Sequence, residues 1–299
     1  MRVLLTGGTG FVGRYVLARL LEHGHEIHLL TRTPPPSLPP PPAPAPPVRH
    51  FVGDLSSHAL RQAADGCDAA IHLVGIIRET AHQTFRSAHV DGTRAVLDAC
   101  RDAGVRRYVH MSALGTRPDA VSEYHRTKWA AEQLVRDSGL QWTIFRPSMI
   151  VGPDGEFVRM VRGWAEGKSA PWLVFPYFRA GLLGLGRHSR VQPVAVTDVA
   201  RAFVDALTRP DSVGKVYDLV GPETYTWPEF YRLLARTYGL PSKPALPVPI
   251  WYALLLARLV PASLLPFNLA QVQMAAEDNV GDAAPFVRDF GWQPRTADV

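Results

Sequence analysis

Apolar positions near the start of the chain form a run of three, Val3 to Leu5, and then spread to helical spacing from Arg14 to His23. A short continuous apolar run predicts a buried strand, and the spaced pattern predicts an amphipathic helix, closed here by Gly24. Glu26 to Thr31 reads as a second strand, so the chain opens strand, helix, strand. The alternation continues with an extended segment at Phe51 and Val52, a buried strand over Ala69 to Val74 and a long helix over Phe85 to Ala103. Arg107 to Met111 then reads as a strand, Glu123 to Ser138 as a helix and Trp142 to Arg146 as a strand. This rhythm predicts an α/β fold, a doubly wound parallel sheet with helices on both faces and ligands at the carboxyl ends of its strands. Beyond Val151 the regularity falls away. A core over residues 1–151 is expected, with 152–299 mainly a smaller C-terminal substrate or partner lobe and about 191–225 returning to the core.

One segment interrupts the pattern. Proline supplies ten of the fourteen residues from Pro34 to Pro47, a composition that favours extended polyproline II and cannot form a helix. It reads as a stiff loop between the second and third strands, or as a docking site for a proline-reading partner.

The candidate chemistry begins between the first strand and the first helix. Thr6 to Gly13 reads TGGTGFVG, with Gly7, Gly10 and Gly13 in GxxGxxG spacing and Phe11 and Val12 inside it. Missing side chains there allow a tight turn and let backbone N–H groups approach a pyrophosphate, at the positive end of the following helix dipole. A dinucleotide is the expected ligand. Ile27 to Thr33 contains no acid to bind ribose hydroxyls and offers Arg32, whose guanidinium can meet a 2′-phosphate, so NADP(H) is favoured over NAD(H). Asp54, in GDL after a strand, could accept from the adenine amino group or cap its own turn.

Tyr124 and Lys128 stand four residues apart on a predicted helix and therefore share a face. An ammonium close by would favour the phenolate of a tyrosine whose reference pKa is about 10, which suits proton transfer to or from a substrate oxygen. Ser112, at the end of the Arg107 to Met111 strand, could hydrogen-bond the same oxygen. Asp198 falls where a helix begins and is expected to meet orphan N–H groups there. His72 and His110 lie on strands without metal-ligand spacing, so no metal is expected.

Composition narrows the partners. The net charge is +5, with Lys and Arg scattered and no polybasic run or aromatic RNA-binding signature, which disfavours nucleic acid. Cys67 and Cys100 are the only cysteines, so a reducing compartment is expected. The start of the chain lacks a charged region followed by a long apolar stretch, so a cytoplasmic location is expected. Ala245 to Ala257 is apolar but interrupted by Pro247 and Pro249 and too short to span a bilayer; peripheral membrane contact remains open.

TGGTGFVGRYV, GDL, HVDGTRAVLDACRDAGVRRYVHMSALG, YHRTK and FRPSMIVGP resemble, in order and spacing, the extended or atypical short-chain dehydrogenase/reductases. The resemblance covers most of residues 1–225. SALG, WTIFRPSMIVGPDGEF and DLVGPETYTWPEF look most like the nucleotide-binding accessory subunit of respiratory complex I and its bacterial relatives. The resemblance implies a Rossmann fold, Gly7, Gly10 and Gly13 on the pyrophosphate, Arg32 on the NADP phosphate and Asp54 on adenine. It further implies Leu73, Val74 and Gly75 under the cofactor, in place of asparagine-alanine-glycine, and Pro147 with Ser148 beside the nicotinamide. Ser112, Tyr124 and Lys128 match the family's catalytic serine, tyrosine and lysine, with the last two also at the cofactor.

Trp172, Phe175, Tyr177 and Phe178 give the expected lobe an aromatic section that could line an apolar pocket, meet a partner or pack as core. Pro241 to Pro266 could form a lid helix or contact a quinone-rich membrane surface. Two functions are expected. The first is an NADP-dependent oxidoreductase or epimerase acting on a carbonyl or sugar-type substrate. The second is a non-catalytic NADP(H)-holding subunit or assembly factor of a respiratory or quinone-related complex.

Overall fold

The computed structural model describes residues 1–33, 47–260, 265 and 267–297. The proline-rich run up to residue 46 therefore lies outside the described residues. In chain order the first elements are β1 (Arg2–Thr6), α1 (Phe11–Glu22), β2 (Glu26–Thr31), β3 (Val48–Val52), α2 (His58–Ala64) and β4 (Ala69–His72). A π-helical turn (Arg86–Asp91) runs directly into α3 (Gly92–Asp102), followed by β5 (Arg107–Met111), α4 (Glu123–Arg136) and β6 (Gln141–Pro147). Then come β7 (Ile150–Val151), α5 (Glu156–Ala165), β8 (Phe175–Arg179), β9 (Arg190–Val191), β10 (Val194–Ala195), α6 (Val196–Ala206) and β11 (Lys215–Leu219). The chain continues through β12 (Tyr225–Thr226), α7 (Trp227–Thr237), β13 (Ala245–Pro249), α8 (Ile250–Leu259), α9 (Leu269–Ala276) and α10 (Ala284–Phe290).

Two compact units divide the chain. The first comprises Met1–Ala120, Tyr124–Arg146 and Thr197–Tyr217. It is built on a seven-stranded sheet in the order β11-β6-β5-β4-β1-β2-β3. Strands β1 to β6 pair in parallel, with Thr6 beside both Leu30 and His72, and His72 beside His110. This is a doubly wound, Rossmann-like sheet. Val3, Leu4 and Leu5 all have zero exposure, because a central parallel strand is covered on both faces. One face packs Leu4, Leu60, Val96, Tyr108 and Ile144 into a continuous core.

Buried Arg107 ties the edge of this unit together. Its guanidinium donates to Ala206 O (2.8 Å), Thr143 Oγ1 (2.6 Å) and Ser212 Oγ (2.9 Å), so its charge is lodged among acceptors that close α6 against β6. Asp198 sits in the first turn of α6 and is buried.

The second unit comprises Val121–Glu123, Pro147–Val196 and Asp218–Val299. Short strands pair as β7 with β10 in parallel, β9 with β12 antiparallel and β8 with β13 in parallel. Its core gathers Val158, Trp164, Phe175, Tyr177, Phe230 and Tyr231. Phe175 and Tyr177 are thus core, whereas Trp172 is 60% exposed and Phe178 meets Phe267 edge to face. No helix among the described residues is long and apolar enough to cross a membrane.

Candidate functional site

The turn after β1 is closed too tightly for side chains. Gly7 has φ +80°, and its missing Cβ would lie 3.0 Å from Val74 N and 3.1 Å from Leu73 C. A Cβ on Gly13 would stand 2.0 Å from Gly7 O and 2.6 Å from Gly8 Cα; no rotamer relieves a backbone clash of that size. Gly10 forms the rim, its amide donating to Gly7 O at 3.1 Å. No side chain caps α1, and its first internally bonded amide is that of Arg14, to Gly10 O at 3.1 Å. The amides of Phe11, Val12 and Gly13 are left as donors at the positive end of the helix, the arrangement that receives a phosphate.

β4 ends at His72, two residues before the expected Val74. Leu73 still donates to Thr6 O at 3.0 Å, but Val74 and Gly75 leave the ladder, with Val74 passing beside Gly7. A Cβ on Gly75 would meet Lys128 Nζ at 3.0 Å and His89 Nε2 at 3.5 Å, so glycine is what lets this loop lie on the lysine. Asp54 is exposed, and its Oδ1 accepts from the Ser56 amide (2.9 Å) and the Ser56 hydroxyl (2.7 Å). These bonds hold its carboxyl below the usual range. The turn-capping alternative for Asp54 is therefore realised through Oδ1. Arg32, at the end of β2, is exposed.

On α4, Tyr124 and Lys128 share a face and Glu132 continues it. The Tyr124 ring lies edge to face with Phe85, His89 and His125, at centroid distances of 5.8, 5.2 and 5.3 Å. Its hydroxyl makes no hydrogen bond among the described residues. Burial pushes the phenol up to about 12 and the Lys128 ammonium down to about 8, with Glu132 pulling the latter back up. Lys128 is not among the causes acting on Tyr124, so the expected lowering of the phenol by its neighbour is not realised. Lys128 Nζ instead donates to Met111 O at 2.9 Å.

Ser112 is buried at the end of β5, where its amide continues the ladder to Phe145 O (2.8 Å). Its hydroxyl donates to Glu132 Oε1 at 2.6 Å. Glu132 has zero exposure and is gripped by Arg146, Nε to Oε1 at 2.8 Å and Nη2 to Oε2 at 2.7 Å, and by Arg136 Nη2 at 3.1 Å. Two cations and a hydroxyl offset the desolvation of the carboxylate. To polarise a carbonyl, Ser112 must redirect the proton it gives to Glu132.

Residues 7–168, more than half of the chain, match the family described as NAD(P)H-binding. The chain belongs to this family. It is 28% identical over 257 residues to the mitochondrial NADH dehydrogenase [ubiquinone] 1 alpha subcomplex subunit 9 of Mus musculus, covering 82% of this chain and 62% of that protein. It thus spans less than two thirds of that relative. Similarity to the ceramide reductase of Caulobacter vibrioides is 32% over 247 residues, covering 82% of this chain and 72% of the reductase. Among solved structures, the Thermus thermophilus UDP-glucose 4-epimerase complex with NAD superposes with TM-score 0.71 at 23% identity, covering 98% of this chain and 94% of that one. The fold is that of the short-chain dehydrogenase/reductases and epimerases.

In this NAD(P)H-binding chain the expected long helix from Phe85 is continuous to Asp102, and the π turn in its first half carries His89. His89 Nδ1 shares a 2.9 Å hydrogen bond with Thr127 Oγ1, and its Nε2 lies 3.2 Å from both the amide nitrogen and the carbonyl oxygen of Ile76. Burial, with Lys128 close by, holds His89 far below its ordinary value, at about 2, and His72 at about 3. His72 Nδ1 shares a 2.6 Å hydrogen bond with Thr6 Oγ1. His89 and Glu132 were not among the site residues read from sequence. Glu132 had a signal, since positions 124, 128 and 132 recur every four residues; His89 had none, because its partners are distant in the chain. Pro147 and Ser148 belong to the second unit, where Ser148 Oγ donates to Gln192 O.

Proposed function

We propose that the chain is an NADP-dependent oxidoreductase that reduces or oxidises a carbonyl–alcohol pair through Tyr124. The observation that carries this reading is a phenol on the Lys128 face of α4 whose hydroxyl is uncommitted, in the same unit as a glycine turn that excludes side chains. Gly7, Gly10 and Gly13 with the amides of Phe11 and Val12 would hold the pyrophosphate, and Arg32 would meet a 2′-phosphate. Asp54 would use its remaining oxygen on adenine. Leu73, Val74 and Gly75 would pass under the cofactor, Pro147 and Ser148 would stand beside the nicotinamide, and Lys128 would bind ribose.

The bound nicotinamide supplies or takes the hydride. In reduction Tyr124 gives its phenolic proton to the substrate oxygen as the carbon gains hydride; in oxidation it takes that proton back. The raised phenol keeps Tyr124 protonated at neutral pH, which suits the reducing direction. Lys128, charged below about pH 8, would balance the phenolate left behind after turning from Met111 O. Ser112 would orient the substrate oxygen after turning from Glu132.

The relative named ceramide reductase favours a lipid carbonyl over a sugar nucleotide as the substrate class. Incubating the purified chain with NADPH and a panel of ceramide-like lipids carrying a carbonyl, and following loss of nicotinamide absorbance, tests this directly. Turnover that vanishes in Tyr124→Phe supports it; turnover undiminished in that variant overturns it.

A second reading is favoured by the Ser112–Glu132 bond and by Lys128 resting on Met111 O, both of which tie up groups that turnover would need. Here the chain holds NADP(H) without using it, as a subunit or assembly factor of a membrane-associated respiratory complex, like the relative named as an NADH dehydrogenase subunit. Its setting would be the reducing, cytoplasmic side, where Cys67 and Cys100, both buried and pushed up to about 12, stay reduced thiols. Retained NADPH with no turnover across carbonyl and sugar panels distinguishes it.

A further inference from the structure

The second unit exposes an apolar surface that its core does not need. Leu182, Leu183 and Leu185 are 76%, 73% and 68% exposed, on a glycine-flanked loop after β8. On α8, Trp251, Leu255 and Leu259 are 50%, 45% and 73% exposed at positions i, i+4 and i+8, a single stripe about 12 Å long at helical rise. The two features are joined: Trp251 Nε1 donates to Leu182 O at 2.9 Å, and a Cβ on Gly184 would lie 3.4 Å from Pro247 Cβ, just ahead of α8. Ala253, on the opposite side of α8, is fully buried, so the helix packs by its small residue and turns its large ones outward.

Charge selects the occupant. Residues 167–197 and 230–276, which supply this loop, β8, β13, α8 and α9, contain no Asp or Glu; of the basic residues there, Arg179 donates to Gly186 O and Leu185 O within the loop, and Lys243 donates to Trp164 O and Trp172 O. Arg258 is exposed at the end of the apolar stripe. Arg187 is paired with Asp278, from just beyond the acid-free stretch. Large apolar side chains with a tryptophan at one end of the stripe, an exposed Arg258 at the other and no acid on the loop or on α8 match an anionic bilayer surface, where the stripe inserts among acyl chains and Arg258 meets a headgroup.

We propose that the Leu182–Leu185 loop and the outward face of α8 form a docking surface for anionic lipid membranes. This deepens the membrane-associated reading above but stands on a different unit and different residues, so it holds whether or not Tyr124 does chemistry.

The test is flotation of the full chain with vesicles of phosphatidylcholine alone or with about one quarter phosphatidylglycerol, at low and high salt. Binding to the anionic vesicles that weakens with salt is expected, falling at least about tenfold in Leu183→Glu/Leu255→Glu. NADPH titration of the same samples should be unchanged, which shows that the variant is folded and separates failure of this surface from failure of the cofactor site. Should that variant not fold, quenching by brominated lipid is read instead, and part of it should disappear in Trp251→Phe. Absence of vesicle binding, binding unaffected by the substitutions, or a patch that mediates self-association or capture of a soluble protein instead of lipid overturns the proposal.

Discussion

The Ser112 hydroxyl donates to Glu132 Oε1 at 2.6 Å, inside a carboxylate site closed by Arg146 and Arg136. The bond joins the end of β5 to the middle of α4 and fixes the spacing between Ser112 and the Tyr124 face. Glu132→Gln leaves the partly exposed Arg146 and Arg136 without their shared counter-charge, and we expect a loss of about 1.5–3 kcal/mol in urea unfolding. Ser112→Ala removes one hydrogen bond of the set and should cost about 1–2 kcal/mol, with NADPH affinity unchanged.

Tyr124→Phe removes only a hydroxyl that makes no hydrogen bond among the described residues. Stability should change by less than about 1 kcal/mol, while turnover falls about 10²–10⁴-fold. Thermal unfolding and a single-turnover assay with NADPH separate the two effects.

Lys128 gives the site a pH dependence. Burial lowers its ammonium from 10.5 to about 8, so the charge is present at neutral pH and is lost as pH rises through 8. NADPH affinity should therefore be flat below pH 7 and weaken above pH 8, and Lys128→Met should bind weakly at every pH. Fluorescence titration of nicotinamide between pH 6 and 9.5 reads both.

His110 has zero hydrogen bonds to either ring nitrogen and is buried, stacked 5.5 Å from His72. Replacing it by Leu removes two unsatisfied atoms and should stabilise the first unit by about 1–3 kcal/mol. The acid response follows from the same burial. His72, His89 and His110 all titrate below their ordinary 6.5 in the folded chain, so the unfolded chain binds the extra protons. Their stabilisation is complete above pH 6.5 and is lost as pH falls from there towards about 3, by roughly 1.4 kcal/mol per pH unit for each histidine. His110→Leu should lower that slope by one histidine's share, measured by urea unfolding at pH 7, 6 and 5.

The fold was legible because its signals are local. Short apolar runs named β1 and most of β4, and glycine spacing named the turn that a Cβ on Gly13 would destroy. What escaped was long-range. Glu132 reads as an ordinary polar position on a helix until Arg146 arrives from β6, and His89 acquires its role only when the π turn brings it to Thr127 and Ile76. The Tyr124 phenol is raised, the opposite direction to the expectation drawn from i, i+4 spacing, because burial alone acts on it while the Lys128 ammonium rests on Met111 O. In the second unit, Phe175 and Tyr177 became core while Trp172 did not, a distinction that composition cannot make.

Calorimetric titration of the purified chain with NADPH and NADH, beside a Gly13→Val variant, tests the central claim most directly. A Cβ at position 13 would sit 2.0 Å from Gly7 O, so the variant should lose both ligands, while the unmodified chain binds NADPH at least about tenfold more tightly than NADH through Arg32. No heat with either dinucleotide would contradict the account outright, and tighter binding of NADH would overturn the assignment of Arg32.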